Sequence, residues 1–307
     1  MDPIEGPYEF GDQPPRELMG WLPEQVAEAQ VKCARYFVDF RMLDTPRPQP
    51  PPPIWTLTKR INKGDHLPTF RQKIGDCIGA GIRQTGARLQ VADIAARFQE
   101  EVLRPWFVPF IYGISRVQIG RGQIDGDGST GAWGAAAVKQ YGVLFDDDTD
   151  VPLYSADVGR TWGRPPGPPE THIRTAASRP VKSTARLTTI HQIRTALCNY
   201  HPITIASMRG FKMQPVNRDG FHVFVPEGTW PHQMALLAWM DEPFQAAYRL
   251  NSWGPNPHGT PLNDEPPGGA WCTADCIEEE LQARETEVFT YSGFAGFPTA
   301  PNRGLIR

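Results

Sequence analysis

From Pro46 to Pro53 the chain is proline at six of eight positions. Proline fixes φ and has no N–H, so neither a helix nor a central strand runs through such a stretch. It reads as a stiff polyproline II spacer rising about 3.1 Å per residue; a ligand for a proline-binding module is the lesser reading. The spacer divides a leading arm from a compact body expected to begin near Ile54. The same bias runs through the whole chain: 32 prolines and 29 glycines in 307 residues far exceed the roughly 12% that the two residues usually make up. A bundle of long helices and a plain doubly wound sheet are both excluded.

Charge narrows the function classes. Thirty-one basic side chains against 34 acidic ones give a formal net charge of −3, and no Lys/Arg block marks a phosphate-binding face, so no nucleic-acid partner is expected. No run of 18 apolar residues exists, so no membrane span is expected. Met1 to Pro7 is acidic and proline-broken, unlike a secretory signal, which predicts synthesis in the cytoplasm. Five cysteines are few and odd in number, which fits free thiols better than a disulfide framework.

Along the chain, residues 1–53 read as an arm containing one helix over 23–42 (Val26, Val31, Ala34, Val38 and Met42 at near-helical spacing) and the spacer. Residues 54–158 read as a helical half. A long helix is expected over 77–104, with Ile78, Ile82, Leu89, Ile94, Phe98 and Val102 as its stripe and Pro105 as its stop. A second follows over 131–140. The Pro/Gly cluster from Gly159 to Pro169 reads as a loop between halves. Residues 159–297 carry short β-prone runs at Pro202–Met208, Gly220–Val225, Met234–Met240 and Ala246–Asn251, then a helix over 273–284. Residues 298–307 read as a tail. Helices first and strands second predict an α+β fold.

Three features carry chemistry. Gly75-Asp76-Cys77 stands at an expected helix start, where the helix dipole favours a thiolate, the nucleophilic form of cysteine. His232 lies near the beginning of one strand, and Asn251-Ser252-Trp253-Gly254 ends the next. On a hairpin, the Asn carbonyl can accept from one imidazole nitrogen and leave the other facing the cysteine. Each piece alone has a bland reading: a packed thiol, a packed His, a turn. Their order and spacing raise the functional reading.

At these residues the chain resembles the papain-like cysteine peptidases over roughly residues 54–297. The resemblance implies an α+β fold with a helical half and a β-sheet or barrel half, peptide or protein substrates, and no cofactor or metal. It implies Cys77 as nucleophile, His232 as general base, Asn251 as the residue orienting His232, and Trp253 as the shield over that bond. Asp125 to Trp133 resembles the glycine-rich cleft wall, placing Gly128, Ser129 and Gly131 against substrate. Gln72 matches the oxyanion-hole glutamine, but it stands five residues before Cys77 rather than six. Ile78-Gly79-Ala80-Gly81 replaces the aromatic that usually follows the nucleophile, and no disulfide cysteine precedes it. The first 53 residues lack a long charged helical propeptide. If the arm nevertheless blocks the cleft, its displacement would activate the protein. The Gly-Asp-Cys motif and proline-rich arms also resemble bacteriophage-encoded members, which implies a virion component whose arm meets other virion proteins. The rivals are a structural virion protein with weak or lost catalysis and, last, a cell-wall amidase or endopeptidase.

Other signals read blandly. Cys272 and Cys276, four apart on an expected helix with His258 upstream, offer too few ligands for structural zinc. Asp125-x-Asp127-x-Ser129 opens like a calcium loop, but Ala136 stands where a Glu is required. Asp146, Asp147, Asp148 and Asp150 read as a solvated acidic loop. Cys33, Cys198 and the tryptophans read as core.

Overall fold

We describe the protein from a computed structural model, over residues 13–42, 46–97 and 102–296. The prolines at positions 3 and 7, Phe98 in the expected helix and the tail beyond Gly296 lie outside the described residues. The chain opens with α1 (Val26–Cys33). It then builds α2 (Ile54–Ile61), α3 (Cys77–Arg97), α4 (Val108–Gly113), α5 (Gly131–Gln140), α6 (Ala156–Trp162) and α7 (Glu170–Ala176). The second half alternates β1 (Val181–Arg186), α8 (Ile190–Cys198), β2 (Ile203–Phe211), β3 (Val216–Arg218), β4 (Phe221–Val223), β5 (Pro226–Met240), β6 (Ala246–Leu250), β7 (Gly269–Thr273), α9 (Ala274–Gln282) and β8 (Glu287–Phe294). This is the expected α+β order. No helix among the described residues is long and apolar enough to cross a membrane.

The strands form one sheet in the order β1-β8-β2-β5-β6-β7-β4-β3. Both faces of its centre are buried. Met234 and Leu236 of β5 pack with Ile193 and Leu197 of α8 and Ile277 of α9. Their neighbours Ala235 and Leu237 pack with Ile54, Trp55 and Val91 on the other face. Alternation along one strand therefore feeds two cores. Helix α3 packs against α2, α4 and α5 and also against β5 and β8, so it joins the two halves. Gly86 lets it do so: a Cβ there would lie 2.2 Å from the ring of Trp106.

Several expectations change. The helix over 23–42 is broken: α1 ends at Cys33, a 3-10 turn spans Ala34–Tyr36, and another spans Phe40–Met42. Tertiary capture explains the break, because Val38 N–H donates to Thr184 O of β1 and the Phe37 ring stacks 4.7 Å from Phe289. The long helix ends earlier than 104: Arg104 has left it, and the Gln90 side chain bonds both its N–H and its carbonyl. β5 begins at Pro226, eight residues before the expected Met234. Pro231 had disguised the extension, and it stands at an irregularity in the β2–β5 ladder where register shifts. The proline spacer lies along α8, with Arg194 donating to the carbonyls of Arg47 and Pro48. The acidic loop is not simply solvated. Arg83 pairs with Asp146, and Arg104 and Arg179 converge on Asp148.

Candidate active site

Cys77 is the first residue of α3, and the Asp76 carbonyl accepts the Ala80 N–H of its first turn. The Asp76 side chain turns inward to accept from the Tyr154 hydroxyl at 2.8 Å; burial lifts its carboxyl to about 7. The strand-like segment Phe70–Gln72 is stitched to Ser252–Gly254: Gln72 N–H donates to Ser252 O, and Gly254 N–H donates to Phe70 O. The Asn-Ser-Trp-Gly tetrapeptide is thereby anchored to the approach to Cys77. Gln233, the neighbour of His232, donates its side-chain amide to Ile78 O. That bond fixes β5 to the first turn of α3.

β5 and β6 are antiparallel neighbours, with Ala235 opposite Leu250, as the hairpin reading requires. His232 Nε2 lies 2.9 Å from Asn251 Oδ1. Both residues are buried. The Trp253 ring lies 4.8 Å from the imidazole at 30° and covers the bond. His232 Nδ1 is buried with no hydrogen-bond partner. The Cys77 thiol meets the backbone N–H groups of Gln233, Gly20 and Ile78. Cys77 thus meets the backbone of Gln233, the residue adjoining His232.

The electrostatics differ from the expectation of a thiolate. Burial pushes the Cys77 thiol up to about 12. Burial also outweighs the Asn251 hydrogen bond and holds His232 down to about 3. Both groups are neutral in this conformation, because desolvation penalises the charged form of each.

On the side of the thiol the arm contributes to this burial. Residues from Leu18 to Leu22 lie in the cleft. The Leu18 carbonyl accepts from Gln72 Nε2 at 2.8 Å, the amide expected to hold an oxyanion. Gln72 Nε2 also donates to Ile74 O, and its Oε1 accepts from the Ser252 hydroxyl. Gly20 N–H faces the thiol. Ser129 N–H donates to Gly20 O, Leu22 N–H donates to Ser129 O, and Trp21 N–H donates to Pro231 O. Trp21 and Ser129 thus form a parallel bridge. Of the expected cleft residues, Ser129 touches the arm backbone, and Gly128 lies under the Leu22 side chain. The buried Trp21 indole N–H donates to Glu287 Oε2 at 2.9 Å. Glu287 also accepts from Gly131 N–H and Ala132 N–H at the start of α5. A Cβ on Gly20 would fall 1.8 Å from the Gly75 carbonyl oxygen, so only glycine passes there.

Three participants were not read from the sequence. Gln233 carries no signal beyond its place after His232. Glu287 opens β8, a strand buried on both faces over its first five residues, and carries no sequence signal either. His258 had been placed with the cysteines. Instead its Nε2 lies 3.0 Å from Asn251 Nδ2. Cys272 sits on β7 rather than on a helix, and with Cys276 and Glu280 it forms a buried trio. The Glu280 oxygens are committed to Arg249 and the Ser207 hydroxyl.

This is the papain-like fold. Among solved structures, the chain is similar to xylellain, a cysteine protease from Xylella fastidiosa, with 16% identity, a TM-score of 0.57, and coverage of 92% of this chain and 98% of that one. It is also similar to proCathepsin B S9 from Trypanosoma congolense (8% identity, TM-score 0.53, 91% and 87% covered). The proform of the ragweed pollen cysteine protease Amb a 11 is a third (12% identity, TM-score 0.51, 87% and 74% covered). No protein-family model and no curated protein sequence matches the chain.

Proposed function

We propose that the protein is a cysteine peptidase folded with its own N-terminal segment in the cleft. One observation carries this reading: a buried imidazole, bonded to Asn251 through Nε2, keeps Nδ1 unpartnered, and the next residue, Gln233, ties its strand to the first turn of the helix that Cys77 opens. In the reaction, Cys77 Sγ gives its proton to His232 Nδ1 and attacks the carbonyl carbon of a peptide bond. The oxyanion accepts from Gln72 Nε2 and the Cys77 N–H. Collapse expels the amine, which takes the proton from His232, and water then hydrolyses the thioester by the same base. Asn251 fixes the imidazole throughout, and Trp253 keeps water from that bond.

The arm must leave first. It takes the Gln72 amide with the Leu18 carbonyl, and it presents an N–H to the sulfur where a substrate must present a carbonyl carbon. The arm therefore covers the nucleophile without being offered for cleavage. A substrate strand replacing it would bond Ser129 and the Pro231 carbonyl, and the side chain entering the Trp21 pocket would meet the Glu287 carboxyl. That pocket suits a large side chain bearing a hydrogen-bond donor. The further expectation of a virion component rests on sequence resemblance.

The test is labelling with an epoxide thiol inhibitor, read by mass spectrometry. Single-site modification of Cys77 that disappears in His232→Ala supports the peptidase. Modification spread over the five cysteines with no preference for Cys77, in a Gly20→Ala variant that loosens the arm as well as in the unmutated chain, would refute it.

A further inference from the structure

Asn251, which holds His232 through its oxygen, is itself met by a second histidine at its amide nitrogen. We propose that His258 is a positioning residue that fixes the orientation of the Asn251 amide, and through it the tautomer of His232. The inference rests on the peptidase reading above for its functional meaning, but its geometry stands alone.

The chain of bonds fixes each proton in turn. His258 Nδ1 lies 2.8 Å from the Met213 carbonyl. A carbonyl only accepts, so Nδ1 carries the hydrogen. A neutral imidazole then has a bare Nε2, which can only accept. The group 3.0 Å from it must be the Asn251 NH2. The Asn251 oxygen is consequently turned the other way, where it accepts from Ser252 N–H at 2.7 Å and from His232 Nε2 at 2.9 Å. His232 therefore carries its hydrogen on Nε2, and its Nδ1 lone pair is the one left for the thiol. A flipped Asn251 would set NH2 against the Ser252 N–H and oxygen against a bare nitrogen, two repulsive contacts at once.

The surroundings keep His258 in the required state. It is buried, with the Phe224 ring edge-on at 4.8 Å and Trp253 at 6.1 Å. Burial holds it down to about 4 despite the Met213 bond. A neutral His258 adds no second positive charge when His232 takes the proton. The residue lies in the stretch between Gly254 and β7, seven residues beyond Asn251.

The test uses the full chain with 15N-labelled histidine. Long-range proton–nitrogen correlation at pH 6–8 should show single tautomers, Nδ1–H for His258 and Nε2–H for His232. In His258→Leu, which lacks an acceptor, His232 should become a tautomer mixture, and epoxide labelling of Cys77 should slow roughly tenfold, the effect of one buried hydrogen bond. His258→Gln offers an oxygen to Asn251 and should restore both readouts. An Nε2–H tautomer for His258 in the unmutated protein would overturn the proposal without any variant, whether or not His258→Leu folds. So would an unchanged His232 tautomer in folded His258→Leu. If neither the unmutated chain nor Gly20→Ala shows His232-dependent labelling, the peptidase reading fails while the tautomers still decide the role of His258.

Discussion

The base side and the nucleophile side of the cleft are finished by different parts of the chain. His232 and Asn251 are satisfied within the second half, through Ser252, His258 and the Met213 carbonyl. Cys77 and Gln72, on the first half, meet instead the Gly20 N–H and the Leu18 carbonyl of the arm. On the peptidase reading, the base therefore holds its geometry without the arm. The nucleophile is held in a neutral, covered state by a segment that can be exchanged. Removing the arm should change one side and leave the other as it is.

The largest effects test whether the two sides act together. Cys77→Ala should abolish labelling and hydrolysis, and His232→Ala should slow both by about 10²–10⁴, the usual weight of a positioned general base. Loss of Cys77 reactivity without any effect of His232→Ala would break the comparison, because the base side would then be ornamental.

The next effect should appear on the nucleophile side alone. In Gly20→Ala the new Cβ overlaps the Gly75 carbonyl, a backbone atom that cannot swing away. Overpacking of that kind costs about 1–3 kcal/mol, which opens the cleft roughly 5- to 150-fold more often. Epoxide labelling of Cys77 should accelerate by that factor. Its dependence on pH should also become less steep, since the thiol pushed up to about 12 is a property of the covered state. The His232 tautomer should not change. A labelling rate equal to that of the unmutated chain would mean that the arm does not guard the thiol.

These two sides were not equally legible in the sequence. Cys77, His232, Asn251 and Trp253 could be named because the chemistry demands particular residue types, and because His232 lies on β5 and Asn251 directly follows β6, two runs that read as strands. Gln72 was named despite its shifted spacing; the segment from Phe70 to Gln72 pairs with the tetrapeptide, and its amide donates to the Leu18 and Ile74 carbonyls. The arm's place in the cleft was raised only as a question, since nothing in Leu18-Met19-Gly20-Trp21 announces a partner hundreds of residues away. The same non-local cause hid the break after Cys33, where β1 captures Val38. The start of β5 was missed for a local reason, since Pro231 reads as a strand breaker unless the ladder is known to be irregular there. His258 was noticed for its donor nitrogen but assigned to the wrong neighbours, because proximity in sequence to Cys272 is not proximity in space.

The smallest effect concerns Glu287, where the arm, α5 and β8 meet. Burial raises its carboxyl to about 6 from the usual 4.5, against the pull of the Trp21, Ala132 and Gly131 donors. The folded state therefore binds a proton that the unfolded chain releases between those values. Stability from this group is fully present below about pH 4.5 and is lost as pH rises through 6. A shift of this size corresponds to about 1–2 kcal/mol. Glu287→Gln cannot titrate, so urea unfolding of the two proteins across pH 4–7 should show the unmutated chain losing that amount relative to the variant as pH rises. Asp76, His232 and His258 titrate in both proteins and cancel in the difference. Repeating the pair in the Gly20→Ala background sharpens the comparison of the two sides. If Trp21 leaves with the arm, water reaches Glu287, its carboxyl falls back toward 4.5, and the pH-dependent difference shrinks. A difference that persists at full size would show that Glu287 is buried by the body of the protein rather than by the arm, and that the arm's grip on the cleft is confined to Gly20 and Leu18.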